Sequence, residues 1–427
     1  MYIHRELEYK IQSCLNMPEI IAILGARQVG KTTLLQNMFQ NNPKCKMITF
    51  ENHDLLSLFR EDIDSFVRLY VAPYEVIIID EFQYAFEGGK NLKFIYDTQP
   101  WKKIIISGSS SLELTHQATK FLVGRIFQFQ LFTLSFYEFL SFNDKIGYEN
   151  LLTKLMFDVQ KCINLLDHEL PLLTTAVANR FSRYVDDFII YGGFPRVATS
   201  ANIDEKKMVL HNIIETYLLK EIRDILHRSD DIEIKKLSRY LALRIAQYLQ
   251  YNDISQALGI YHNKVLEFIN ILEKTYLIDL IEPFYSNKLL EIIKSKKVFF
   301  ADTGFRNALI QNFQDLVLRT DKGALCESFV FAELQKFGLG LKYWRTKSKA
   351  EVDLILEVNN KPIPIEVKSK LIKPSITKSL ISFINKYNPP IAIIFSKDFL
   401  HMKKYNDTNI YFLPFFLVGS IKNISIP

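Results

Sequence analysis

Cysteine is scarce in this sequence: four residues in 427, Cys14, Cys45, Cys162 and Cys326, lie far apart with no paired spacing. That excludes a disulfide framework and a cysteine-based zinc knuckle, and it fits a reducing cytoplasm. Long apolar runs are missing too. None approaches the ~18 residues that span a bilayer, and the opening MYIHRELEYK is too charged for a signal-peptide core, so a soluble cytoplasmic protein without a membrane partner is expected. Glycine and proline are sparse and no repeat or low-complexity tract stands out, which argues for a globular chain. A strong charge excess is also absent: a net charge of +6 permits contact with nucleic acid or an anionic surface without requiring it.

Nearly half of the residues are hydrophobic, with 33 Phe and 21 Tyr supplying much of the bulk. The length exceeds the ~250–300 residues at which one core stops growing, so two to four domains are expected. In residues 1–140, IIAIL, KMITF, EVIIID, KIIIS and IFQFQL read as short β-branched strands between amphipathic segments. This is the pattern of an α/β fold with a parallel sheet covered on both faces. Residues 141–231 read as helical, with Leu, Phe and Tyr at helical spacing in YENLLTKLMFDVQKCINLLD and HNIIETYLLKEIRDIL. Residues 232–300 contain DISQALGIYHNKVLEFINILEKTYLIDLIEP, the helix, Gly turn, helix and strand order of a winged helix-turn-helix. Residues 301–427 read as α-β-β-β-α-β.

The stretch GARQVGKTT, Gly25, Ala26, Arg27, Gln28, Val29, Gly30, Lys31, Thr32 and Thr33, fits G-x-x-x-x-G-K-[ST], with a strand before it and a helix after it. Glycines let backbone N–H groups wrap phosphates, the helix N-terminus adds its dipole, Lys31 reaches the outer phosphates and the Thr32 hydroxyl ligates Mg²⁺. ATP and Mg²⁺ are the cofactors expected. Fifty residues on, EVIIIDE ends a strand with Asp80, expected to hold Mg²⁺ through water, and Glu81, expected to activate the attacking water. KIIISGSSS offers Ser107 and Ser109 to sense the γ-phosphate or position the water, and Arg125 either reaches a phosphate in its own or a neighbouring subunit of an oligomer or is a plain surface arginine.

With GARQVGKTTLL, VIIIDEFQ, ISGSSS, VGRIFQFQLFTLSFYEFL, YGGFPRV and YWRTKSKAEVDLILE…IEVK, the chain resembles the prokaryotic AAA-type ATPases, near the archaeal and signal-transduction ATPases, that carry a C-terminal nuclease-like domain of unknown function. The resemblance covers most of the chain. It implies ATP binding, ATP hydrolysis and an associated winged helix.

In AEVDLILEVNNKPIPIEVKSK, a two-residue turn at Asn359-Asn360 gives cross-strand partners whose numbers sum to 719. Asp353 then faces Glu366, Glu351 faces Lys368, and Pro362 and Pro364 fall at non-hydrogen-bonded pairs. Opposed carboxylates ask for a cation, and Mg²⁺ suits oxygen donors. Glu327 lies with Val330, Phe331 and Leu334 on the apolar stripe of the preceding helix and needs a buried partner. This arrangement looks like the PD-(D/E)XK nucleases. The likeness implies that Asp353 and Glu366 hold metal, Glu327 supports them and Lys368 positions or deprotonates water. A second reading is a solvated face on which Lys368 pairs with Glu351.

The winged helix would present Tyr261, His262, Asn263 and Lys264 to a major groove, making DNA the expected partner with a protein partner as the alternative, or it serves as a packing module next to the nucleotide. The clusters Lys294–Lys297 and Arg345–Lys349 are candidate phosphate contacts. Gly192–Arg196 reads as a turn or hinge, His211 and His227 lack partners at metal spacing, and Trp101 and Trp344 read as core or rim aromatics. Two functions follow: an ATPase coupled to a DNA-binding and metal-dependent DNA-cutting half, or a nucleotide-dependent switch whose nuclease-like domain only binds.

Overall fold

A computed structural model describes residues 2–109, 121–155, 170, 173–216, 231–287, 289, 291, 294–397 and 399–423. Cys162, His227, and the later parts of the two helical stretches at 148–167 and 211–226 lie outside the described residues. The chain divides into two compact units: Met1–Leu134 with Asn270–Leu277, and Ser135–Ile269 with Ile278–Pro427. Among the described residues no helix is long and apolar enough to cross a membrane.

The first unit is built on β1 (Ile20–Leu24), β2 (Cys45–Thr49), β3 (Val76–Asp80), β4 (Lys103–Gly108) and β5 (Ile126–Gln130). They form one sheet in the order β2-β3-β4-β1-β5, parallel at every pairing. Burial explains the sequence pattern: β1 and β4 are buried at every position, as a strand covered on both faces must be, whereas the edge strand β5 is part exposed and alternates apolar with Gln. On one side Phe50, Phe59, Phe66 and Phe82 form a connected aromatic cluster, with the Phe50 and Phe59 centroids 4.9 Å apart. Trp101 is not part of any core: it is 92 % exposed just before β4, which corrects the expectation made for it.

In the second unit, the helix Phe136–Asn143 starts on a capping box made by Ser135 and Glu138, and Glu333 accepts a further bond from the Phe136 N–H at 2.8 Å. The helix Thr175–Tyr191 stops at Gly192, whose φ of 77° suits glycine. There Asp302 accepts from the Gly193 N–H at 2.7 Å and from the Phe305 N–H at 2.8 Å. Gly304 packs so close that a Cβ would meet the Tyr191 carbonyl oxygen at 1.9 Å. Gly192–Arg196 is therefore a fastened turn. The helices Asp231–Leu243, Tyr251–Leu258 and His262–Lys274 precede the antiparallel pair β6 (Ile278–Ile281) and β7 (Lys297–Phe300), with Gly259 at φ 67° closing the middle helix.

The remaining chain runs helix Lys322–Gln335, β8 (Leu341–Arg345), β9 (Glu351–Val358), β10 (Lys361–Lys368), helix Lys378–Tyr387, β11 (Ile391–Ser396), β12 (His401–Tyr405) and β13 (Thr408–Pro414). The expected α-β-β-β-α-β order is present, extended by the unanticipated hairpin β12-β13. These strands make a mixed sheet in the order β12-β13-β11-β10-β9-β8. Trp344 is buried on it, edge-on to Phe383 with centroids 5.2 Å apart.

Candidate functional site

Two side-chain clusters stand at strand ends, one in each unit. The first follows β1. Gly25 lies against the chain after β5, where a Cβ would be 2.2 Å from the Leu131 carbonyl oxygen, so only glycine fits. Gln28 (φ 60°) and Gly30 (φ 96°) turn the loop into the helix Lys31–Phe39. Lys31, 5 % exposed, folds back over the loop and donates to the Gly25 and Ala26 carbonyls, each at 2.9 Å. Thr32 Oγ1 donates to Asp80 Oδ2 at 2.6 Å, and Ser107 Oγ donates to Asp80 Oδ1. The helix, β3 and β4 thus bring three separated sequence segments to one point at the C-terminal edge of the parallel sheet. There Thr32 and Asp80 offer adjacent oxygen donors, the class of ligand that Mg²⁺ takes.

Glu81 sits at φ 54°, an uncommon conformation for a non-glycine residue, at the exit of β3. Gln83 Nε2 donates to Glu81 Oε2 and, at 3.2 Å, to Ser109 Oγ. Ser107 and Ser109 therefore divide the work, one holding Asp80 and the other reaching Glu81 through Gln83. Arg27 bonds Tyr84, whose hydroxyl is raised above its ordinary pKa by burial against that pull. Thr33 is exposed on the helix surface.

Two contributors were not anticipated. Arg5, 5 % exposed, donates to the Val29 carbonyl at 2.8 Å and the Phe132 carbonyl at 2.7 Å, clasping the loop to the chain beyond β5. Gln83 is the other. Neither carries a local sequence signal, because both act through contacts to distant backbone or side chains. Arg125 is not brought to this cluster within the chain. It precedes β5, whose first residue pairs with Ile20 at the start of β1, so it stands at the sheet edge opposite the loop. There it lies 3.5 Å from Asp97 and over the Tyr96 ring.

The second cluster is the β9-β10 hairpin and its surroundings. Asn359 and Asn360 have φ of 49° and 61°, and partners run from Val358↔Lys361 to Leu354↔Ile365, the expected register. Pro362 and Pro364 precede the point, Ile365↔Ile393, where β10 begins to pair with β11. Beyond Leu354 the hairpin strands are joined by a side chain: Asp353 Oδ2 accepts from the Val367 N–H at 2.7 Å. Glu366, 1 % exposed, accepts from Thr377 Oγ1 at 2.5 Å and lies 3.2 Å from Lys368 Nζ.

Glu327 has the partner its burial demands, and that partner is Lys297. The Lys297 ammonium, on a residue 1 % exposed, is 2.6 Å from Glu327 Oε1 and 3.1 Å from Glu351 Oε1. This corrects two expectations. Lys297 does not contact phosphates from the Lys294–Lys297 cluster, and Glu351 bonds Lys297 where Lys368 was expected. Burial pushes the Glu327 carboxyl up, against the pull of Lys297. Burial acts to lower Lys297, but Glu327, Asp353 and Glu351 outweigh it and hold the ammonium above its ordinary value. Burial likewise raises Glu366, while Glu366 and Asp353 raise Lys368 over the opposing effect of burial.

Among the described residues no three His, Cys, Asp or Glu side chains converge as a metal-ligand group. Of the expected set, Glu327 faces an ammonium, Asp353 a backbone N–H, and Glu366 a threonine hydroxyl through Oε1, while its buried Oε2 lies 3.2 Å from Lys368 Nζ. Of the other candidates, Tyr261, His262 and Asn263 are exposed, while Lys264 is paired with Glu233. Lys347 and Lys349 are exposed, whereas Arg345 lies over the Tyr248 ring at 4.5 Å.

Residues 17–140 match the model of a family described as an AAA domain, and the first unit accordingly carries a P-loop ATPase-type domain. Residues 182–316 and 322–415 match two domains of unknown function, DUF8612 and DUF4143. An uncharacterized protein of Methanocaldococcus jannaschii is 24 % identical over 376 residues, covering 84 % of this chain and 76 % of its own. An uncharacterized protein of Haemophilus influenzae is 25 % identical over 377 residues, covering 82 % of each. Among solved structures, a Walker-type ATPase of Pyrococcus abyssi aligns with a TM-score of 0.45 at 16 % identity, over 72 % of this chain and 96 % of that one. A signal transduction ATPase with a tetratricopeptide repeat sensor from Pyrococcus horikoshii aligns with a TM-score of 0.28 at 16 % identity, over 79 % and 46 %.

Proposed function

We propose that this protein is an ATP-driven switch: its first unit binds and hydrolyses ATP with Mg²⁺, and the nucleotide state governs what the second unit binds. The observation that carries the reading is the hydrogen-bonded chain Thr32, Asp80 and Ser107 beside the loop of Lys31. It supports phosphate chemistry because a loop of backbone N–H groups, a helix N-terminus, a lysine and a carboxylate-hydroxyl pair meet at one strand edge.

The loop from Gly25 to Thr33 receives the phosphates through its backbone. Lys31 exchanges its two carbonyl partners for the outer phosphate oxygens, which carry the opposite charge. Thr32 and Asp80 would hold Mg²⁺, which neutralises phosphate charge during transfer. Glu81 orients the attacking water and accepts its proton, with Gln83 and Ser109 fixing where that carboxylate points. Nucleotide binding by the full chain and phosphate release with Mg²⁺, compared between wild type and Lys31→Ala, test the assignment; unchanged turnover in the variant would sink it.

For the partner we infer DNA. The helices Tyr251–Leu258 and His262–Lys274, the intervening Gly259 turn and the strands β6 and β7 follow the order of a winged helix, and Tyr261, His262 and Asn263 are exposed where its second helix begins. Anisotropy of labelled duplex DNA, with and without ATP, is expected to show nucleotide-dependent binding that Tyr261→Ala weakens. No DNA binding in either nucleotide state would point to a protein partner, and binding indifferent to Tyr261 would remove the second helix from the interface.

A further inference from the structure

We infer that Lys297 is the resident cation of the acidic end of the second sheet, so that this end excludes divalent metal as it stands and becomes a metal site only when the ammonium is removed. Four carboxylates belong to this end, Glu327 on the helix, Glu351 and Asp353 on β9 and Glu366 on β10, and Lys297 contacts Glu327 and Glu351 directly. Such a group ordinarily demands a cation. Here the chain supplies its own: Lys297 stands against Glu327 and Glu351, and Lys368 against Glu366.

The placement follows from two registers that agree. Lys297 and Phe299 are two apart on β7 and point the same way; Glu327 and Phe331 are one helical turn apart and do likewise. Phe299 stacks on Phe331 with centroids 4.2 Å apart, and Lys297 bonds Glu327 at 2.6 Å. The same backbone alignment that stacks the rings therefore delivers the ammonium to the carboxylate. Tyr248, bridged to Lys297 through the backbone, adds its ring 5.8 Å from Nζ. A metal ion entering among these carboxylates would have to share them with a buried ammonium or expel it from a strand whose four residues are all buried. Both are costly in a region of low dielectric.

The test counts Mn²⁺ bound by the full chain without nucleotide, from the paramagnetic resonance of free Mn²⁺. Lys297→Met is expected to gain about one Mn²⁺ per chain over wild type, held by the freed carboxylates, and Lys297→Met/Asp353→Asn is expected to lose it again. A wild-type protein that binds a Mn²⁺ lost in Asp353→Asn would overturn the proposal, showing that lysine and metal share the site. A folded Lys297→Met that gains no Mn²⁺ would overturn it equally. A second measurement uses the wild type alone: acetylation by an amine-reactive ester, read by mass spectrometry. Exposed Lys347 and Lys349 are expected to label while Lys297 stays protected with or without millimolar Mn²⁺. Labelling of Lys297 that Mn²⁺ induces would show displacement and end the proposal.

Discussion

The two clusters use the same three residue types, Lys, Asp and Glu, and differ in what each ion faces. At the loop of the first unit, Lys31 bonds backbone carbonyls and Asp80 bonds the hydroxyls of Thr32 and Ser107. At the end of the second sheet, Lys297 bonds Glu327 and Glu351, and Lys368 lies against Glu366. Neutral partners hold an ion in place without neutralising it, so a ligand of opposite charge gains by taking their place. Ion pairs within the chain leave a ligand little to gain. The first cluster is thus arranged to exchange partners and the second to keep them.

The comparison predicts opposite consequences for removing a lysine. Lys31→Ala is expected to lower ATP turnover by about 10² or more, the scale for losing a preorganised charge at developing phosphate charge, with little change in melting. Lys297→Met is expected to leave Glu327 buried without its cation and to destabilise the second unit by about 3 kcal/mol. Lys297→Met/Glu327→Leu should recover most of that loss, since an apolar pair replaces a buried ion pair at little cost. Denaturant unfolding of the three proteins measures the coupling. A single variant as stable as wild type would break the contrast, because it would mean that Lys297 is as exchangeable as Lys31.

The first cluster was legible in the sequence because its signals are local. A glycine pattern between a strand and a helix, and a carboxylate at the end of an apolar strand, are short-range consequences of backbone geometry, and both landed where expected. The hairpin register was legible for the same reason: paired asparagines at a two-residue turn fix every partner down the strands. What could not be read was Lys297. It stands 30 residues from Glu327 and 54 from Glu351, inside a run of lysines that looks solvated, and only the stacking of Phe299 on Phe331 reveals which way it points. Arg5 and Gln83 escaped notice likewise, since a polar side chain reaching a distant carbonyl or carboxylate leaves no periodicity behind.

A third carboxylate sharpens the comparison through pH. Asp321 is held down to about 2, its bonds to Arg319 and Arg306 overcoming burial, which alone would raise it. A lowered carboxyl contributes stability that is present above its unfolded value and is lost as pH falls through the folded one. Between about pH 4 and pH 2 the second unit should therefore lose about 2 kcal/mol on this account, and Asp321→Asn should flatten that stretch of the stability profile. An unchanged acid slope in the variant would assign the loss to other carboxylates.

The smallest effect is expected at Arg125, which tests whether position in the sheet decides function. Its strand runs parallel to β1 in register with it, so a residue that precedes β5 lies at the level where β1 begins. At roughly 3.3 Å per residue that is some 15–20 Å from the phosphate loop at the other end, beyond the reach of a guanidinium. Its neighbours Asp97 and Tyr96 are themselves part of the surface around it, and such contacts contribute about 1 kcal/mol or less. Arg125→Ala should leave ATP turnover at low protein concentration within about two-fold of wild type, on the same scale of energies. A tenfold loss that appears only as concentration rises would show that the arginine serves a neighbouring chain, since no phosphate bound at its own loop lies within its span.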